Sequence, residues 1–159
     1  MGLEEESEED DKEENEENEI ISWINPIQGI ITSPGGLRIN PVTLRREFHD
    51  GIDIAAPIGT PVVSPRDGIV IATGYSTTWG RFIRFDHQDG YVSFMAHLSR
   101  VKVEVGDEVS QGQHVAYSGN TGRSTGPHLH YGIFFGGQYV DPINYVDLPK
   151  SENIIAPLV

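Results

Sequence analysis

"GNTGRSTGPHLHYGI" (residues 119–133) sets two histidines one residue apart, directly behind Pro127 and a run of glycines. A strand sends residues i and i+2 to the same face. If residues 128–134 form a strand, His128 and His130 therefore converge on one patch while Leu129 points to the opposite side. An isolated H-x-H pair is more often two satisfied imidazoles than a site, so its meaning depends on the rest of the chain.

Working outward, the body between residues 20 and 150 is rich in glycine and proline, with short runs of Val, Ile, Phe and Tyr between turn signals. The pattern predicts strands at 29–32, 51–55, 61–64, 68–73, 81–86, 92–97, 102–105, 114–118 and 128–134. Asp89-Gly90 reads as a hairpin turn, and Gly106-Asp107 and Gln111-Gly112 as two further turns. No segment carries a long 3.6-residue apolar stripe, so helices should be short and few. The expected fold class is all-β, with antiparallel sheets around one core.

"REFHDGIDIAAPIGTPV" (46–62) supplies a second group of donors. His49 and Asp53 are four residues apart, an even offset, so on one strand they share a face with Gly51 between them. A glycine there removes the side chain that would fill the gap between two ligands, whereas Asp50 is expected to point away. One imidazole and one carboxylate need a third donor to make a zinc site with an open position. Either His128 or His130 can supply it. Adjacent same-side residues on a strand stand roughly 6.5–7 Å apart, so one of the pair should reach the metal and the other stand just beyond it. His97, at the end of the apolar run in "FMAHLSRV" (94–101), is a candidate for a group beside the site. His87 in the hairpin and His114 among glutamines are read as structural.

Charge narrows the function classes. Residues 1–19 hold twelve Asp and Glu against one Lys, a net of −11, while the whole chain of 159 residues is −13, leaving about −2 for the remainder. The acidic block repels itself and has little to bury, and reads as a disordered tail or linker. The near-neutral body has no basic stripe for nucleic acid. With no cysteine, neither a disulfide frame nor a thiolate metal site is available. No apolar run approaches the roughly 18 residues of a membrane span, and the opening glutamates are unlike an export signal. The expected organisation is an acidic tail at 1–19, one domain at 20–150 and an extension at 151–159; across 145–159, Pro149 and Pro157 act as breakers.

Three stretches together, "TSPGGLRINP…HDGIDIAAPIGTPV" (32–63), "MAHLS" (95–99) and "GNTGRSTGPHLHYGI" (119–133), resemble the lysostaphin-like, LytM-type zinc metallopeptidases that cut peptidoglycan. The resemblance extends over about residues 27–143 and closes with "YVDP" (139–142). It implies a duplicated-hybrid-motif-like β-sandwich with a narrow groove and one Zn2+ per chain. It also implies zinc ligands His49, Asp53 and His130, with His97 and His128 beside the open coordination position serving catalysis. The activity implied is endopeptidase cleavage of stem peptides or cross-links in bacterial peptidoglycan. Such a protein works outside the cytoplasm as a monomer, so the chain shown would be a mature or excised piece of an exported one.

The residue types suit that chemistry. Zinc lowers the pKa of a bound water to about 7 and polarises a carbonyl, and two imidazoles can move its proton or stabilise the oxyanion. The chain departs from the family at Gly35, where an aromatic is frequent, and at Met95 and Trp79, where tyrosine is common. These departures touch the walls of the groove and leave the five site positions intact. Two rival readings remain. A non-catalytic member of the fold that activates amidases should lack a ligand or catalytic histidine, and none is missing. A biotinyl- or lipoyl-carrier domain, suggested by "VEVGDEVSQGQHVAYSG" (103–119), needs a lysine at a hairpin tip, and Lys102 and Lys150 are not so placed.

Overall fold

Eleven consecutive residues, YVSFMAHLSRV, make the strand that organises the molecule, because seven of them are buried. We describe a computed structural model of residues 22–40 and 43–152. Its strands are β1 (Ile30–Ser33), β2 (Gly36–Ile39), β3 (Arg46–His49), β4 (Ile52–Ala55), β5 (Pro61–Val63), β6 (Gly68–Ser76), β7 (Gly80–Asp86), β8 (Tyr91–Val101), β9 (Glu108–Val109), β10 (His114–Ser118), β11 (His128–Phe135) and β12 (Gln138–Val140). One short 3-10 helix (Pro142–Tyr145) follows, capped by the Asp141 carboxylate, which accepts from Ile143 N. The all-β expectation holds. The acidic block at 1–19 and nearly all of the expected extension at 151–159 lie outside the described residues.

Every named strand pair is antiparallel. The large sheet runs β1-β4-β11-β8-β7-β6-β9, with β12 on β11 and β10 joining β5 to β8, while β2 and β3 form a separate two-stranded sheet. Along one edge β8 pairs first with β11, over Tyr91 to Ala96, and then with β10, over Leu98 to Val101. A single long strand thus ties β11 and β10 into one sheet. Ile52, Ile54, Ile83, Phe85, Met95, Leu98, Leu129, Tyr131 and Ile133 are fully buried in it, and each such side chain stabilises the fold by about 1.5–3 kcal/mol.

Several expectations need correction. Residues 102–105 alternate like a strand but form the approach to a turn. Asp107 Oδ2 accepts from Glu104 N at 2.8 Å, and Gly106 has φ of 94°. Strands β2, β3, β9 and β12 were not anticipated, because they are short or half-exposed and lack a clean apolar alternation. The start of the trailing segment is also tied down, with Ile31 N donating to Pro149 O at 2.9 Å and Ser151 N to Ile31 O at 2.8 Å. The Asp89-Gly90 hairpin stands as expected, with Gly90 at φ of 94° between β7 and β8.

A candidate metal centre and its groove

The alternation of β11 sends Leu129, Tyr131 and Ile133 into the core and leaves His128, His130 and Gly132 on the other face. The register then does what no local pattern reveals. On β4, Ala55 lies opposite His128 and Asp53 opposite His130, while on β8 Ala96 lies opposite His130. Directly opposed residues have Cβ atoms about 4.5–5.5 Å apart, so strand pairing alone brings Asp53 against His130.

His49 arrives differently. It ends β3, and the chain leaves the strand at Asp50-Gly51 before β4 begins, so His49 and Asp53 do not share one continuous strand. Gly51 is essential to this crossing: a Cβ on it would stand 2.4 Å from Tyr131 O and 2.8 Å from His130 Nε2.

The result is a cluster around Asp53 Oδ1, with His49 Nε2 at 3.3 Å, His130 Nδ1 at 3.3 Å and His128 Nε2 at 3.6 Å. Donor atoms of His49, Asp53 and His130 all lie within 4.8 Å of one another. The opposite nitrogens of these rings are held from behind. His49 Nδ1 donates to Pro34 O at 2.9 Å and His128 Nδ1 to Gly126 O at 2.7 Å, with Ser124 Oγ 3.1 Å away. An imidazole that donates through Nδ1 presents a lone pair at Nε2.

His97 reaches the site through a β-bulge. From Met95 to Leu98 strand β8 takes three steps while β7 takes two, from Ile83 to Arg81. The extra residue lets both Met95 and Leu98 face the core despite their odd spacing, and it turns His97 the other way. His97 sits at φ of 63°, a left-handed conformation uncommon for a side-chain-bearing residue. Its N donates to Trp79 O at 2.7 Å and its Nδ1 to Thr121 O at 2.7 Å. The His97 and His128 rings are 4.8 Å apart.

Electrostatics follow from this packing. Burial opposes the charge on Asp53, but hydrogen bonds from His130 and His49 outweigh it and hold the carboxyl far below the usual carboxylate range. Burial likewise opposes protonation of His130, yet Asp50 and Asp53 overcome it and raise its pKa. His97 is pushed down, first by burial and then by His128 and His130. The cluster is an anionic oxygen ringed by imidazole nitrogens, a donor set of the kind divalent zinc takes.

Beside it runs a groove of about 430 Å³ between Thr32, Ser33, Arg38 and Asn40 on one side and Thr125, Gly126 and Pro127 on the other. Glu47 fixes Arg38 from behind at 2.8 Å and accepts from Asn40 Nδ2 at 2.9 Å, while Arg38 also donates to Ser33 Oγ. Trp79 packs 4.9 Å from His130 and 6.2 Å from His97, centroid to centroid. At Gly35 the missing aromatic is compensated, since a Cβ there would lie 1.8 Å from Tyr139 Oη. The tyrosine ring tip leaves no room for a side chain there.

All five expected positions, His49, Asp53, His97, His128 and His130, thus come together. His87 and His114 stay apart from them. His87 donates to Asp67 O and accepts from Ser93 Oγ, each at 2.8 Å, and His114 Nε2 donates to Ala116 O at 2.8 Å. Asp50 is the residue misjudged from sequence. It does not point away: its Oδ1 lies 3.0 Å from His130 Nε2. Period-2 alternation fails because residues 50 and 51 are not in a strand, and the only available signal was a carboxylate next to a candidate ligand.

Residues 47–142 match Peptidase family M23. The chain is 40% identical over 117 residues to the peptidoglycan DD-endopeptidase ShyA of Vibrio cholerae, covering 74% of this chain and 27% of that protein. Among solved structures it is similar to a zinc containing peptidase from Vibrio cholerae (TM-score 0.64, 33% identity, 79% of this chain and 41% of that one). It is also similar to the catalytic domain of the antimicrobial peptidase lysostaphin from Staphylococcus simulans (TM-score 0.60, 32% identity, 80% of this chain and 95% of that one). The chain spans about a quarter of the length of the curated relatives it matches.

Proposed function

Because this chain belongs to peptidase family M23, we propose that it is a zinc-dependent endopeptidase that hydrolyses D,D cross-links between peptide stems of bacterial peptidoglycan, acting outside the cytoplasm as a monomer with one zinc ion. The carrying observation is the meeting of His49, Asp53 and His130 with donor atoms within 4.8 Å, flanked by two further imidazoles. The D,D specificity rests on likeness to ShyA, named a peptidoglycan DD-endopeptidase.

The donor set fits zinc: two imidazole nitrogens and one carboxylate oxygen leave a position for solvent or substrate. His49 Nε2, Asp53 Oδ1 and His130 Nδ1 would hold the ion. When bound, it supplies Lewis acidity at the scissile carbonyl and makes a water acidic enough to attack near neutral pH. The remaining steps belong to the chain. His128 presents its Nε2 lone pair because Nδ1 is committed to Gly126 O. His97 presents Nε2 in the same way, with Nδ1 committed to Thr121 O and burial lowering its pKa. This pair accepts the proton released as the water oxygen bonds to the carbonyl carbon, and returns it to the departing amine as the C–N bond breaks. Trp79 walls the site beside His130 and His97, and Arg38 with Asn40 lines the groove that receives the stem.

The alternative of a non-catalytic, amidase-activating module loses its basis, since none of its expected gaps occurs in the site. Digestion of purified walls with different cross-link types, followed by mass spectrometry of the released muropeptides, tests the assignment. Monomeric stems should accumulate from directly cross-linked walls while glycine-bridged walls remain intact; the reverse pattern would reassign the substrate.

A further inference from the structure

The two nitrogens of His130 face two different carboxylates. Nδ1 is 3.3 Å from Asp53 Oδ1, Nε2 is 3.0 Å from Asp50 Oδ1, and the ring is only 1% exposed. On the zinc reading above, on which this inference rests, the Nδ1 lone pair belongs to the ion, so the ring's proton must sit on Nε2. That N–H is buried, and no acceptor is aligned with it as a hydrogen bond. A buried donor left without an acceptor is costly.

Asp50 Oδ1 is at hydrogen-bond distance from that nitrogen, on a partly exposed side chain. The backbone holds it there. A Cβ on Gly132 would come 2.6 Å from Asp50 O, and a Cβ on Gly51 would strike Tyr131 O, so two glycines let the Asp50 segment press directly onto β11 beside the ring. Among the described residues His130 is the one ion-pair partner of Asp50.

We propose that Asp50 is a positioning residue for the metal centre: its carboxylate accepts the Nε2 proton of His130, fixes the tautomer that leaves Nδ1 for the ion, and strengthens the ring as a donor. Such partners of ligating histidines typically account for about 10–100-fold in metal affinity or activity.

The test compares Asp50→Ala and Asp50→Asn variants of this chain with the parent by competition against a zinc chelator, by melting of the metal-free proteins, and by kcat and KM on a cross-linked muropeptide. Glu108→Gln, on the exposed side of β9, removes a remote negative charge as a control. Asp50→Ala should weaken zinc binding by about 10–100-fold, lower kcat with KM little changed, and leave the metal-free melting temperature near that of the parent. Asp50→Asn, which keeps an acceptor oxygen but no charge, should recover part of the affinity. Parental zinc affinity in Asp50→Ala, or an equal loss in Glu108→Gln, overturns the assignment while leaving the zinc reading standing. A parent protein that binds no zinc overturns both.

Discussion

Asp53 and His130 stand directly opposite one another across the β4–β11 pairing, carboxylate oxygen to Nδ1 at 3.3 Å. The register of two core strands therefore sets the separation of two metal donors, and anything that shifts β4 against β11 dismantles the site.

Gly51→Ala is the direct probe of that coupling. The added methyl would lie 2.4 Å from Tyr131 O and 2.8 Å from His130 Nε2, and backbone cannot yield as a flexible side chain can. Overpacking of this kind costs about 1–3 kcal/mol. Urea unfolding should show that loss, and elemental analysis should show zinc content falling with it.

The two flanking imidazoles should separate binding from turnover. His128→Ala leaves His49, Asp53 and His130 in place, so zinc content should stay at the parental level while kcat falls by about 10²–10⁴-fold. His97→Ala should behave alike in turnover. Full activity in either variant, measured by muropeptide release at saturating zinc, would remove that histidine from the mechanism.

The site was partly legible in the sequence because its residues obey period-2 logic locally. His128 and His130 share a face of β11 as expected, and the donors of "HDGID" lie near them. Three features were not legible, each for a physical reason. Strand pairing is non-local, so no window of sequence reveals that Asp53 opposes His130. The bulge at Ala96-His97 is hidden because "FMAH" reads as the end of an apolar run until the partner strand is counted. The chain also leaves the strand at Asp50-Gly51, which turns Asp50 toward His130 rather than away. The same limit explains residues 102–105, where an alternating run becomes a turn once Asp107 accepts from Glu104 N.

Stability should depend on pH through a histidine far from the chemistry. Burial, opposed by the hydrogen bond to Asp67, holds His87 below its ordinary pKa of 6.5. A depressed histidine binds its proton more readily when unfolded, so its contribution is intact above about pH 6.5 and is lost as pH falls toward the folded-state value. Metal-free His87→Gln should therefore lose less stability than metal-free parent between pH 7.5 and pH 5, with the site histidines common to both. Parallel stability curves for the two proteins would show that His87 carries no such linkage.

Metal removal should reverse cleanly. Chelation should abolish wall cleavage and added zinc should restore it, with affinity declining at low pH as imidazole ligands take up protons. A chelated protein that still released muropeptides would contradict the proposed chemistry.

The most direct test is the zinc content per chain of the parent and of Asp53→Ala, purified identically and measured by elemental analysis. The account predicts close to one zinc in the parent and almost none in the variant. A variant that retains stoichiometric zinc would contradict it.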